Sequence, residues 1–177
     1  YNQACTNYLG DKKLGSASKL NDAPYKKGAK YTGKEHVWDE AFGYWGAAAH
    51  TLTLSPKQSY EVAKKKNLTA ADYNKDGVVD AGTEMTYAHA YYASGFDKGG
   101  KTNYLETVTR AFLTGRETIT SAKGQKLGWN GRNGGKGIIK QAAIICSNWE
   151  KVIAEAVFKY AGSVYKDLEN MKENTDD

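Results

Sequence analysis

Oxygen-bearing side chains alternate through Asp72, Asn74, Asp76 and Asp80, with Gly77 at the sixth place of the run. Calcium takes about six to eight hard oxygen ligands, and such alternation turns successive side chains toward one ion. Gly77 permits the sharp turn, and the backbone carbonyl of Val78 fills the seventh place. An EF-hand carries its bidentate Glu at the twelfth place, which here is Thr83; Glu84 follows one residue late. One inserted residue still lets Glu84 reach the ion from the first turn of the next helix. The same residue types also suit an Asx-rich turn capping that helix, and the sequence leaves both readings open. A single loop lacks the paired geometry of a calcium switch, so the ion expected is a structural Ca2+.

A second chemical cluster lies at Glu35-His36-Val37-Trp38-Asp39-Glu40-Ala41-Phe42-Gly43-Tyr44-Trp45-Gly46. On a helix His36, Asp39 and Glu40 share one face. One imidazole and two carboxylates suit a borderline metal such as iron or zinc. They equally suit a hydrogen-bonded network that orients His36, with Arg110 or Arg116 as the cationic partner. Hydrolytic chemistry is the third reading of the same residues. No H-E-x-x-H helix exists, so a zincin peptidase lacks its ligands and base. His50 and His89 have no comparable company and read as surface or helix-end residues, with His89 a candidate to face the same cleft.

These clusters must be held by helices. From Ile138 the apolar residues Ile138, Ala142, Ile145, Trp149, Val152, Ala156, Tyr160, Val164, Leu168 and Met171 recur in steps of three and four. That spacing predicts one long helix with one apolar stripe. Further helices are expected over 103–122, over 57–66 behind the Ser55-Pro56 start, over 83–94 with Gly95 as the stop, and over 36–49. Segments 10–33 and 96–101 read as loops, and the glycine-rich run 131–137 as a flexible connector without the Lys-Ser/Thr of a P-loop. No alternating strand pattern or internal repeat is present. The expected fold is all-α, a helical bundle with long loops and one EF-hand-like calcium loop.

Composition limits the partners. The chain has 177 residues, net charge +5 and mean hydropathy −0.68, long enough for one helical domain. No apolar run approaches the roughly 20 residues of a spanning helix. Of its 25 basic residues 22 are Lys, scattered rather than clustered, whereas nucleic-acid readers lean on Arg. No nucleic-acid partner is expected. Cys5 and Cys146 lie 141 positions apart and have no zinc-finger spacing. A long-range disulfide and a buried thiol at Cys146 both remain open, and the pair is compatible with an oxidising compartment. Thirteen tyrosines suit faces buried between chains.

The stretch from Glu35 to Gly46, the later run Ala111-Phe112-Leu113-Thr114-Gly115-Arg116-Glu117-Thr118-Ile119 and the turn Asn148-Trp149-Glu150 together resemble an imelysin-like domain family of bacterial envelope proteins. The resemblance runs from about Asn2 to Met171 and covers the C-terminal half of a typical member. It implies a helical bundle, periplasmic, lipid-anchored or extracellular. It also implies a link to iron uptake and to peptidase activity, with His36 as the histidine of a G-x-H-x-x-E motif and Asp39 as its acid. This chain has Asp39 where that motif has Glu, and its glycine is Gly33.

The expected function is that of an exported, non-enzymatic helical-bundle protein. It would hold a structural calcium at Asp72, Asn74, Asp76, Val78, Asp80 and Glu84, and a ligand or iron-related metal at His36, Asp39, Glu40 and Arg116. The alternatives are a structural subunit of a surface assembly and, last, a metallopeptidase. The chain opens at Tyr1 rather than Met, so a removed leader or an absent N-terminal half is expected. That half or a neighbouring chain would then cover the broad stripe of the last helix, and self-association is also expected.

Overall fold

A computed structural model describes residues 1–125, 127 and 135–173. Its helices are α1 (Gly33–Trp45), α2 (Pro56–Ala63), α3 (Leu68–Ala71), α4 (Ala88–Asp97), α5 (Tyr104–Ser121) and α6 (Gly135–Glu173). A π-type turn, Asn2–Tyr8, precedes them, and a 3-10 turn, Thr51–Thr53, lies between α1 and α2. Among the described residues there is no strand, only an isolated bridge between Pro24 and Thr32. The all-α expectation holds at that level.

Local chemistry explains where the helices begin. The Thr32 hydroxyl accepts from the Glu35 amide (3.1 Å), and the Glu35 carboxylate accepts from the Thr32 amide (2.8 Å), a closed capping box at the head of α1. Gly46 ends the helix at φ +80°, and a Cβ there would lie 2.8 Å from the Tyr87 carbonyl oxygen. Ser55 and Gln58 close a second box around Pro56. Asn67 caps α3 by accepting from the Ala70 amide, 3.1 Å.

The core is aromatic. Trp38, Trp45, Phe112, Ile119, Ile145, Trp149 and Val152 are buried where α1, α4, α5 and α6 meet, with Leu9 and Leu14 closing one side. Trp45 meets Trp149 edge-on at 5.0 Å, and Trp38 meets Phe112 at 5.7 Å. Both buried indoles of α1 donate to α5: Trp38 Nε1 to the Phe112 carbonyl at 2.8 Å, and Trp45 Nε1 to Thr109 Oγ1 at 3.2 Å. A smaller cluster of Val62, Ala71 and Met85 lies under α2 and α3. Cys5 and Cys146 are disulfide-bonded with their Cα atoms 5.7 Å apart, tying the N-terminal turn to α6.

Several boundaries differ from the sequence expectation. The helix expected from Thr83 begins only at Ala88. Residues 83–87 are held instead by the end of α1, through Ala49 N to Thr83 O (2.8 Å) and Tyr87 N to Gly46 O (2.7 Å). Gly95 does not stop α4. It lies under the Tyr60 ring, where an added Cβ would stand 3.2 Å away, and the helix continues to Asp97. Asn103 stands at the N-cap of α5 without a side-chain bond, and Asp97 caps the helix instead, its carboxylate accepting from the amides of Tyr104 (3.0 Å) and Leu105 (2.6 Å). α1 starts three residues earlier than expected and stops before residue 49. Of the glycine-rich run, 131–134 lies outside the described residues, and 135–137 begins α6.

The expected single stripe of α6 divides into two. Ile138, Ala142, Ile145, Trp149 and Val152 face the bundle, whereas Val157, Phe158, Val164, Tyr165 and Leu168 are exposed. At about 100° per residue the second set is centred about a third of a turn round from the first. Beyond Ala156 every described residue of the helix is exposed, and Tyr160 still reaches Tyr92 of α4.

Candidate functional site

The two sequence stretches with the most distinctive spacing meet face to face. α1 places Glu35 and Asp39 one turn apart, and α5 brings Arg116 across to both. Arg116 Nε donates to Asp39 Oδ1 at 2.7 Å, and Arg116 Nη1 to Glu35 Oε1 at 2.8 Å. The Thr120 hydroxyl donates to the same Glu35 oxygen at 3.0 Å and also accepts from Arg116. The neighbouring Gly115 is where Trp38 lies against α5; a Cβ there would fall 2.0 Å from the indole. Gly115 admits the tryptophan and Arg116 holds the acids, so one dipeptide serves both halves of the contact.

Electrostatics follow this geometry. Burial pulls the Glu35 carboxyl upward, but the Thr32 amide, the Thr120 hydroxyl and the Arg116 guanidinium outweigh it and hold it below the usual range. Burial works against the charge of Arg116, yet Asp39 and Glu35 carry its pKa above the ordinary value. Nearby, burial lowers Lys34, whose ammonium donates to the carbonyls of Leu14 and Ser16. Asn21 completes the wall. Its amide donates to the carbonyls of Ile119 (3.0 Å) and Ala122 (2.8 Å) and accepts from the Thr32 hydroxyl (2.8 Å).

The predicted quartet is therefore split into pairs. Arg116 engages Asp39, while His36 Nε2 stands 3.6 Å from Glu40 Oε1 on the outer side of α1. Tyr25 stacks on the His36 ring with centroids 4.0 Å apart, and Tyr31 follows at 5.7 Å. His36, Asp39, Glu40, Gly43 and Tyr44 line an open groove of about 430 Å³. Arg110 takes no part; it pairs with Glu106 on the surface of α5. His89 faces Trp149 at 5.3 Å rather than this groove, and burial lowers its pKa. His50 is buried, stacked on Tyr73 at 4.9 Å and hydrogen-bonded to the Ala70 carbonyl oxygen, 3.0 Å.

The acidic loop from Asp72 to Glu84 is built differently. Its carboxylates answer backbone amides. Asp72 Oδ2 accepts from Gly77 N (3.0 Å), Asn74 Oδ1 from Asp76 N (2.9 Å), and Asp76 Oδ1 from Val78 N (2.8 Å). Asp80 Oδ1 accepts from Gly82 (2.7 Å) and Thr83 (2.9 Å), and these amides hold Asp80 below the usual carboxylate range. Glu84 is buried and spans the loop: Oε1 accepts from Tyr73 and Asn74, and Oε2 from Asp80. It does so from the turn before Tyr87, because no helix starts at Thr83. Gly77 adopts φ +83°, the conformation the sixth place demands. Asp72 Oδ1 is buried and accepts no hydrogen bond.

Among the described residues, no group of three or more His, Cys, Asp or Glu side chains is gathered tightly enough to hold a metal ion. None of the described helices is long and apolar enough to cross a membrane. The sequence reading missed Glu35, Thr120, Asn21 and Asp97 as organising groups. Thr32-x-x-Glu35 was legible as a capping box, and Thr120 is one turn beyond Arg116. Asn21 acts on the end of α5 about a hundred residues away and leaves no local signal, whereas Asp97 reaches across the short loop to the head of α5.

No curated protein and no solved structure is significantly similar to this chain. The family model described as domain of unknown function (DUF4856) matches residues 1–176, and the chain belongs to that family.

Proposed function

We propose that this chain is an exported, non-enzymatic helical scaffold whose Asp72–Glu84 loop binds a structural Ca2+. The observation that carries the reading is Asp72 Oδ1, a buried carboxylate oxygen without a hydrogen bond in a loop whose other acidic groups are answered by amides. A buried, unanswered carboxylate oxygen is costly unless a cation or water meets it. The residue set fits a hard cation: carboxylates at Asp72, Asp76, Asp80 and Glu84, the Asn74 amide oxygen and the Val78 carbonyl. Gathering them exchanges the Asn74 and Asp76 contacts to neighbouring amides for contacts to the ion. The disulfide between Cys5 and Cys146 supports the exported part of the reading, since such bonds persist in oxidising compartments.

The test is a calorimetric titration with Ca2+, paired with thermal unfolding in calcium and in EDTA. Binding with a rise in Tm, both removed by Asp72→Ala, is the expected result. No heat at millimolar Ca2+ overturns the calcium loop. The resemblance to imelysin-like envelope proteins supports an envelope location and a ligand at the His36 groove. That groove offers His36, Glu40 and Tyr44 to a small ligand, while Asp39 is committed to Arg116. Metal analysis of the purified protein addresses the iron-related part: calcium without a transition metal removes it. Peptidase activity abolished by His36→Ala would instead favour the metallopeptidase reading.

A further inference from the structure

We infer that the distal half of α6 is a self-association surface, and that its occupant is the same helix of a second copy of this chain. Ala154, Val157, Ala161, Val164 and Leu168 recur in steps of three, four, three and four. That is the seven-residue repeat of a two-stranded coiled coil. Phe158 and Tyr165 flank the seam, 77% and 62% exposed, while Leu168 is 59% exposed. Lys159 and Lys166 lie on the opposite side and Glu169 is hydrogen-bonded to Tyr165 at the rim, so none of the five seam positions carries a charge that pairing would bury.

Three further observations favour a second copy. The seam is rotated away from the bundle-facing stripe, so it is not the overhang of a face already packed against α5. A lone helix of this length with Gly162 inside it is marginal in water and gains from a partner. The five large apolar side chains offer about 600 Å² per chain, and a symmetric pair would bury about 1,200 Å², the lower edge of stable interfaces. The same strip on two copies makes an isologous contact, as two-fold pairing requires. The root of the helix is already fixed, by Tyr104 donating to Glu155 at 2.9 Å and by Tyr92 and Tyr160 hydroxyls 3.1 Å apart.

The experiment is sedimentation velocity on the whole chain across a range of concentrations, with Val164→Glu/Leu168→Glu and with Lys159→Glu/Lys166→Glu as the polar-face control. A reversible dimer of about twice 19.4 kDa is expected. The Val164/Leu168 pair should weaken it by roughly 100-fold or more, and the Lys pair should leave it within roughly 3-fold. Near-ultraviolet circular dichroism of the buried tryptophans reports that the bundle remains folded in each variant. A monomer up to the highest concentration overturns the inference. So does a dimer that survives Val164→Glu/Leu168→Glu, which places the interface elsewhere. A monomer that floats with phosphatidylglycerol vesicles overturns it in favour of a lipid surface.

Discussion

Two acidic regions of this molecule solve the same problem in opposite ways. At the α1–α5 contact, Glu35 and Asp39 are brought together and one guanidinium answers both. In the loop after α3, Asp72, Asp76, Asp80 and Glu84 are strung along thirteen residues without a cationic side chain bonded to any of them, and backbone amides do the answering. The first region is complete within the chain. The second leaves Asp72 Oδ1 unanswered, which marks it as the place where a cation from solution would enter. Acidic residues alone therefore say little; what distinguishes the regions is whether the fold supplies the counter-charge.

The harshest way to break the first region is Gly115→Ala. The new methyl would overlap the Trp38 ring, and the two helices must separate, costing about 3 kcal/mol or more in urea unfolding, with or without calcium. Arg116→Met comes next. It leaves buried Glu35 without its cation and should cost about 2–3 kcal/mol, again equally in calcium and in EDTA. Asp72→Ala sharpens the contrast by behaving in the opposite manner. At a calcium concentration of about 100 times Kd it should forfeit roughly 2.7 kcal/mol, and in EDTA it should cost little.

Acid acts on both regions in the same direction, since Glu35 and Asp80 are each held below the ordinary carboxylate value, and substitution isolates the first. Glu35 titrates below its unfolded value, so its contribution is full above the ordinary carboxylate range of about 4–5. It is lost as pH falls through the depressed folded value. Glu35→Gln should flatten that part of a stability-versus-pH curve measured in EDTA. The smallest effect belongs to Glu40→Gln. Its 3.6 Å contact to His36 is solvent-exposed and should be worth under about 0.5 kcal/mol by urea unfolding.

Part of the first region is legible in the sequence. Helical spacing put Asp39 beside His36, and Arg116 was one of two named cations; the other, Arg110, bonds its own i−4 neighbour, a local preference no longer-range contact overrode. What misled was reach. The run from Thr83 to Ser94 has helical composition, yet two amide bonds to the α1 end and the segment after it hold its first part out of the helix, so Glu84 lies in a turn. Periodicity found α6 but merged two stripes, because steps of four drift slowly and look continuous in a list of apolar residues. The cap from Asn21 depends on a helix that its own neighbourhood does not encode, and the cap from Asp97 on a loop conformation that local composition does not fix.

The bond between Cys5 and Cys146 has a topological consequence. It closes a covalent ring that contains α1 through α5 and the first third of α6, and leaves the distal helix as a tail outside it. A protease that cuts the backbone once anywhere between those cysteines leaves one covalent molecule, heavier only by the water of hydrolysis, until a reductant is added. A cut near Ala161 sheds a peptide at once. The ring and the tail thus have separate fates under digestion, and the tail is the part with the uncovered apolar seam.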